Sequence, residues 1–138
     1  MTKTEPWFKP MLDQLVAKMI NIGAISGVAV DANPAWGVED QLLIAKVWDS
    51  SNKSQFIWAI TGDLAVTDHI PGNLAVTPRD AARHFSYKWQ MDADRLAEMA
   101  NADSQVANTR ANIEAQSKKI IQLAESLYAM TEQEEAWK

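Results

Sequence analysis

The residues best suited to chemistry lie between Trp58 and Trp89. Both histidines of the chain, His69 and His84, fall there, with Asp63, Asp68, Asp80, Arg79 and Arg83. Two imidazoles and a carboxylate form a competent metal set in principle. Their spacing matches no short metal signature, such as His at i and i+4 of one helix, so no metal is expected. Ser86 follows His84 by two residues, and such positions face apart on a helix. No G-x-S-x-G nucleophile elbow occurs. Asp63 and Asp68 have the right types for paired acid–base work, but loop Asp residues more commonly cap backbone N–H groups as Asx turns.

Arg79 and Arg83 are four apart at the start of a predicted helix and face the same way. They have the spacing to grip an anion beside the positive helix terminus. The competing reading is a clasp in which they pair with Asp63, Asp68 or Asp80, because cations at a helix N-terminus need a carboxylate neighbour. Trp36 is either a lid over one end of the core or the wall of a site. The candidate ligand-binding set is therefore Trp36, Asp63, Asp68, His69, Arg79, Arg83 and His84, with no metal and no cofactor.

Three helices and a small sheet must hold these residues. Phe8, Met11, Leu12, Leu15, Val16, Met19 and Ile20 form one apolar face at helical spacing. Thr4 and Pro6, or Lys9 and Pro10, supply possible starts, and Pro10 places the regular helix over about 10–22, with Gly23 past its end. Trp7 then anchors the helix entry. Residues 25–30 read as a first strand, Asp31-Ala32-Asn33-Pro34 as a turn, and Ala35-Trp36-Gly37 as irregular. Gln41 to Asp49 is the clearest strand. Leu42, Ile44 and Trp48 share one face, interrupted by Lys46; Leu43, Ala45 and Val47 share the other. Apolar residues on both faces predict a central strand, covered on both sides or covered on one and partly shielded on the other. A polar hairpin at 49–54 leads to an antiparallel partner at 55–61.

No period is evident over 62–76, a long loop for a compact domain, unless Leu74-Ala75-Val76 forms an edge strand after a Pro71-Gly72-Asn73 turn. Thr77-Pro78-Arg79-Asp80 is a helix start with a capping-box pattern. Ala81, Ala82, Phe85, Trp89, Leu96 and Met99 mark the inner face of a helix over about 78–100. Asp103 caps a last helix over about 104–131. There Val106, Ile113, Ile120 and Leu127, with Thr109, Gln116, Leu123 and Met130, make a coiled-coil-like stripe. That helix is roughly 40 Å long, more than one small sheet requires. The fold class is α+β: a single domain over 1–138, with an antiparallel sheet of 3–4 strands within 25–76. The helix of 104–138 is long enough to extend from the core. Glu132, Glu134 and Glu135 sit at its negative end, where fraying is expected.

Composition narrows the function classes. The chain has 138 residues, 47% of them hydrophobic and 22% charged, which is ordinary globular usage and one domain's length. It holds 13 Lys and Arg against 18 Asp and Glu, for a net charge of −5. The basic residues are scattered, so no nucleic-acid partner is expected. With no Cys, disulfides, thiolate metal sites and a Cys nucleophile are excluded. No long apolar run and no signal-peptide pattern is seen, so the expected location is cytoplasmic, without a membrane partner.

Pro34-Ala35-Trp36, Trp58-Ala59-Ile60-Thr61-Gly62-Asp63-Leu64, Thr67-Asp68 and Pro78-Arg79-Asp80-Ala81-Ala82-Arg83-His84-Phe85 with Trp89 resemble, in order and spacing, a family of small bacterial proteins of unknown function. The loop of that family reads more like Gly-Asp-Leu-Pro-Thr-Asp-Tyr. Here Ala65-Val66 replaces the Pro and His69 stands for the aromatic. The resemblance implies a shared fold module and no particular reaction.

The expected function is a non-catalytic binding or protein-interaction module, a homodimer through the C-terminal helix. The alternatives are a small enzyme or small-molecule binder with its site at the 62–84 loop and helix start, and a regulatory or toxin-neutralising partner protein.

Overall fold

The computed structural model describes residues 6–26, 29–101 and 107–138. The expectations placed on Thr4, Gly27, Asp103 and Val106 lie outside the described residues. The elements run α1 (Phe8–Asn21), β1 (Val30–Val38), β2 (Leu42–Asp49), β3 (Ile57–Thr61), β4 (Asp68–Pro71), α2 (Pro78–Asn101) and α3 (Ala107–Thr131). This is the predicted α+β arrangement. The chain divides into two compact units, Met1–Ala81 and Ala82–Lys138.

In the first unit the four strands form an antiparallel meander, in the order β1-β2-β3-β4. Alternation along β2 puts Leu43, Ala45 and Val47 on one face. Leu12, Leu15 and Met19 of α1 pack there together with Ala59, and Phe8, Met11, Val30, Ala32 and Ile57 border the cluster. The opposite face is buried too, through Leu42, Ile44, Trp48, Trp58 and Ile60. β2 is thus buried on both faces, the first of the two readings its apolar faces allow.

Three local expectations are corrected. The helix begins at Phe8, two residues before the predicted start. Pro10 lies in its first turn, where the missing N–H has no intrahelical partner to lose. The first strand is Val30–Val38, so the Asp31–Pro34 turn and the irregular Ala35–Gly37 segment are both strand. β1 is an edge strand with Asp31, Asn33 and Pro34 exposed, and edges tolerate Pro and polar residues that a central strand would not. The last strand is Asp68–Pro71, inside the expected loop. Gly72–Leu74 then makes a short 3-10 turn in place of an edge strand at 74–76. A four-residue strand ending in Pro carries too little alternation to be seen in sequence. The segment after it is pinned by the Trp58 indole, whose Nε1–H donates to the Ala75 carbonyl at 3.0 Å. α2 starts as its capping pattern predicts: the Asp80 backbone N–H donates to Thr77 Oγ1 at 3.1 Å.

In the second unit α2 and α3 pack antiparallel. Arg83 Nη2 reaches the Thr131 carbonyl, the Tyr87 and Tyr128 rings meet at 5.9 Å, and the Ser117 hydroxyl donates to the Ala93 carbonyl at 2.8 Å. Residue numbers rise on one helix as they fall on the other. The short Ser117 side chain thereby reaches the facing backbone directly. Small residues permit it. Ser86, Ala93 and Ala100 on α2, and Ala124 and Thr131 on α3, are all buried at seven-residue spacing, and half-buried Ser117 continues the α3 row. The expected inner face of α2 holds through Ala81, Ala82, Phe85 and Trp89, but Met99 is exposed and Ala100 is buried. On α3, Leu127 is buried and Ile113 and Ile120 half-buried, while Thr109 and Gln116 are exposed. The C-terminus, expected to fray, turns back: Trp137 Nε1–H donates to the Met130 carbonyl at 2.9 Å, satisfying one acceptor of the last helical turn.

Candidate functional site

An open concavity lies at the β1 edge of the first unit. Trp7, Phe8, Pro34, Ala35, Trp36, Gly37 and Leu43 line an open groove of about 250 Å³. Two features of the sequence build it. The ladder between β1 and β2 pairs Pro34 with Ala45 and Trp36 with Ile44, so Ala35 is an extra, bulged residue. A bulge re-aims the side chains after it. Trp36 is thereby moved to the Ile44 face, and Gly37 falls on the Leu43 face below α1. The second feature is Gly37 itself. A Cβ there would lie 2.6 Å from Trp7 Cη2 and 2.7 Å from the Leu42 carbonyl oxygen. Only Gly lets the Trp7 ring lie this close to the strand. Trp7 also stands edge-on to Phe8, with ring centroids 5.9 Å apart at 85°, an arrangement aromatic quadrupoles favour.

Among the described residues, the groove wall carries no ionisable side chain. The wall is suited to an apolar or flat group.

Of the seven residues singled out in the sequence, Trp36 alone lines this groove. Asp63 is exposed in the turn after β3. Asp68 opens β4, and its Oδ1 accepts the His69 backbone N–H at 2.8 Å, as an Asx-type contact would. The ladder pairs Asp68 with Ile60 and His69 with Ala59. Their side chains therefore leave on opposite faces of the sheet, with His69 on the face that carries α1. Arg79 and Asp80 are half-buried in the first turn of α2. Arg83 and His84 belong to the second unit, where Arg83 ties α2 to α3 through the Thr131 carbonyl and His84 is exposed. Among the described residues, no three of His, Asp and Glu gather as a metal site would require. The groove itself was not foreseen beyond Trp36. Its sequence signal is the Trp7-Phe8 pair before a helix and a Pro-Ala-Trp-Gly run, and nothing local shows that these meet.

Among the described residues, two ionisable groups are displaced from their ordinary behaviour, both at the surface. Asp49 is held below the usual carboxylate range by hydrogen bonds from the Ser51 hydroxyl and backbone N–H. Tyr128 is raised, by its hydrogen bond to the Glu132 carboxylate and by the charge of that group, with Tyr87 adding to the effect.

A family model matches residues 5–137, nearly the whole chain. The chain belongs to the family described as Domain of unknown function (DUF4826). No curated protein and no solved structure matches it. The DUF4826 assignment agrees with the expectation of a family of unknown function and carries no activity with it. Among the described residues, no helix is long and apolar enough to cross a membrane.

Proposed function

We propose that this chain is a non-catalytic protein-interaction module, with the groove at the β1 edge receiving an apolar or aromatic anchor residue of its partner. The observation that carries this reading is the size and chemistry of the groove. At about 250 Å³ it falls below the roughly 300–1,000 Å³ of drug-sized ligand sites. It is the size of a pocket for one large side chain, the way hot-spot residues anchor an interface. Its wall of Trp7, Phe8, Pro34, Trp36 and Leu43 offers contact area without reactive groups.

The test uses N-acetylphenylalanine amide as a minimal anchor, titrated into labelled protein and followed by NMR. Saturable shifts confined to Trp7, Gly37 and Leu43, and weakened by Trp36→Ala, are the expected result. Shifts that are absent, or spread evenly over the surface, overturn the reading. Shifts centred instead on Asp63, Asp68, His69 and Arg79 favour the small-molecule site at the 62–84 joint.

The second part of the proposal is a homodimer through the second unit. Its support is the exposure of large apolar side chains there: Met91 at 63%, Tyr87 at 50%, Met99 at 47% and Tyr128 at 36%. Sedimentation velocity tests it with Met91→Asp, an exposed position that leaves the monomer fold intact. Ile113→Asp and Ile120→Asp, at half-buried positions, report on the α3 stripe. A wild-type monomer refutes the dimer.

A further inference from the structure

Lys46 interrupts an otherwise apolar face in the middle of the sheet, and the structure shows what it rests on. Its Nζ stands 4.8 Å from the Phe56 ring centroid and 5.1 Å from that of Trp58. The ladder places Trp58 directly beside Lys46, and Asn33 beside it on the other side. One hairpin away, Lys53 Nζ stands 5.2 Å from the Trp48 ring centroid. Trp48 is two residues from Lys46 on the same face. Two cations therefore lie over three rings on this face of the sheet.

Among the described residues, neither cation has an anionic partner. Lys46 and Lys53 make no ion pair or hydrogen bond with any described residue. By contrast, Lys9 pairs with Asp13, Arg95 with Asp92 and Lys138 with Glu135. The carboxylates near the shelf are engaged or apart. Asp49 accepts from Ser51. Asp31 lies across from Trp48 and is exposed, without a bond to either lysine. Ring faces attract an ammonium but accept none of its three N–H donors in full. Half-burial of Lys46 reduces the water available to take them. The rings thus hold a cation in place with its donors turned to the outside, in a chain whose net charge is −5.

We propose that the Lys46–Lys53 shelf over Trp48, Phe56 and Trp58 binds a small-molecule oxyanion, a phosphate ester or a carboxylate. An oxyanion supplies the charge and the acceptors that the protein withholds, through charge-assisted hydrogen bonds. This site is separate from the groove lined by Trp7 and Trp36, and neither proposal depends on the other.

The experiment titrates inorganic phosphate, acetate and chloride, at matched ionic strength, into protein observed through its lysine side-chain and Trp58 indole signals. The expected result is a saturable change at Lys46, Lys53 and Trp58 with phosphate or acetate and none with chloride. A stronger response to phosphate identifies a phosphate ester as the ligand class, and a stronger response to acetate a carboxylate. Lys46→Met, which keeps the apolar stem, should abolish the response. Lys53→Met should weaken it by about tenfold, the scale of one charged hydrogen bond. Lys46→Arg retains the charge should the Met variant fold poorly, and should retain binding. Lys9→Met serves as the control and should bind as the wild type does. A response equal in chloride, or one that survives Lys46→Met in folded protein, overturns the proposal and leaves the two lysines as structural cation–π contacts.

Discussion

Replacing Gly62 by Ala should be among the most damaging single-methyl changes available to this fold. Gly62 leaves β3 with φ of +127°, a region that side chains rarely enter. Holding Ala there costs on the order of 1–3 kcal/mol. A Cβ would also overlap the Gln41 carbonyl oxygen and lie 2.8 Å from its carbon and 2.9 Å from Leu42 Cα. These are backbone atoms, so no flexible side chain can yield, and overpacking adds about 1–3 kcal/mol. The Gln41 carbonyl also accepts the Leu64 N–H at 3.2 Å, a bond worth about 1 kcal/mol that the intruding methyl would displace. The combined loss is about 3–7 kcal/mol, a large share of the roughly 5–15 kcal/mol that holds a domain together. Urea unfolding provides the assay. With a slope of about 2 kcal/mol/M, the midpoint should fall by roughly 1.5–3.5 M. Gly23→Ala isolates the backbone term, because Gly23 has φ of +76° but nothing within 4 Å of its Cβ position. It should lose only about 1–2 kcal/mol. If the two variants lose equal stability, the steric part of the reasoning fails. A loss below about 1 kcal/mol for Gly62→Ala refutes the whole of it.

Ala124→Leu should destabilise by about 1–3 kcal/mol in urea unfolding, because a larger side chain wedges α2 and α3 apart where small residues allow close approach; a neutral result would show that the two helices are not held closely. Asp49 should titrate below an ordinary carboxylate in an NMR pH series, and Ser51→Ala should move it back up. The sign follows from the lowered folded value: the stability it contributes is present above the ordinary carboxylate value and lost as pH falls through the depressed one. Tyr128 should titrate above an ordinary tyrosine by ultraviolet absorbance, and Glu132→Gln should lower it. Here the raised folded value means stability present below the ordinary tyrosine range and lost as pH rises through the elevated one.

The helices were legible because their signals are long and local. Thr77-Pro78-Arg79-Asp80 announces α2 through cap chemistry, and Gly23 ends α1 with the positive φ a helix stop requires. β2 was legible because both its faces are apolar. β1 was misplaced because Asp31, Asn33 and Pro34 read as turn residues, and an edge strand accepts them. β4 was missed because four residues ending in Pro71 are too few to show a period. The candidate site was legible only in part. Its chemically suggestive residues lie close in sequence, yet neighbours on a strand face apart, as Asp68 and His69 do.

The sequence by itself determined the α+β class, the two apolar faces of β2, the capped start of α2 and the lack of any cysteine chemistry. Each rests on a period or a residue type, which local steric and hydrogen-bonding preferences translate directly into structure. Tertiary structure decided the rest. It placed Trp7 over Gly37, turned Trp36 with a single bulged residue, and set Lys46 on two rings from another strand. Those relations join residues distant in the chain, and a one-residue change of register reverses which face a side chain takes.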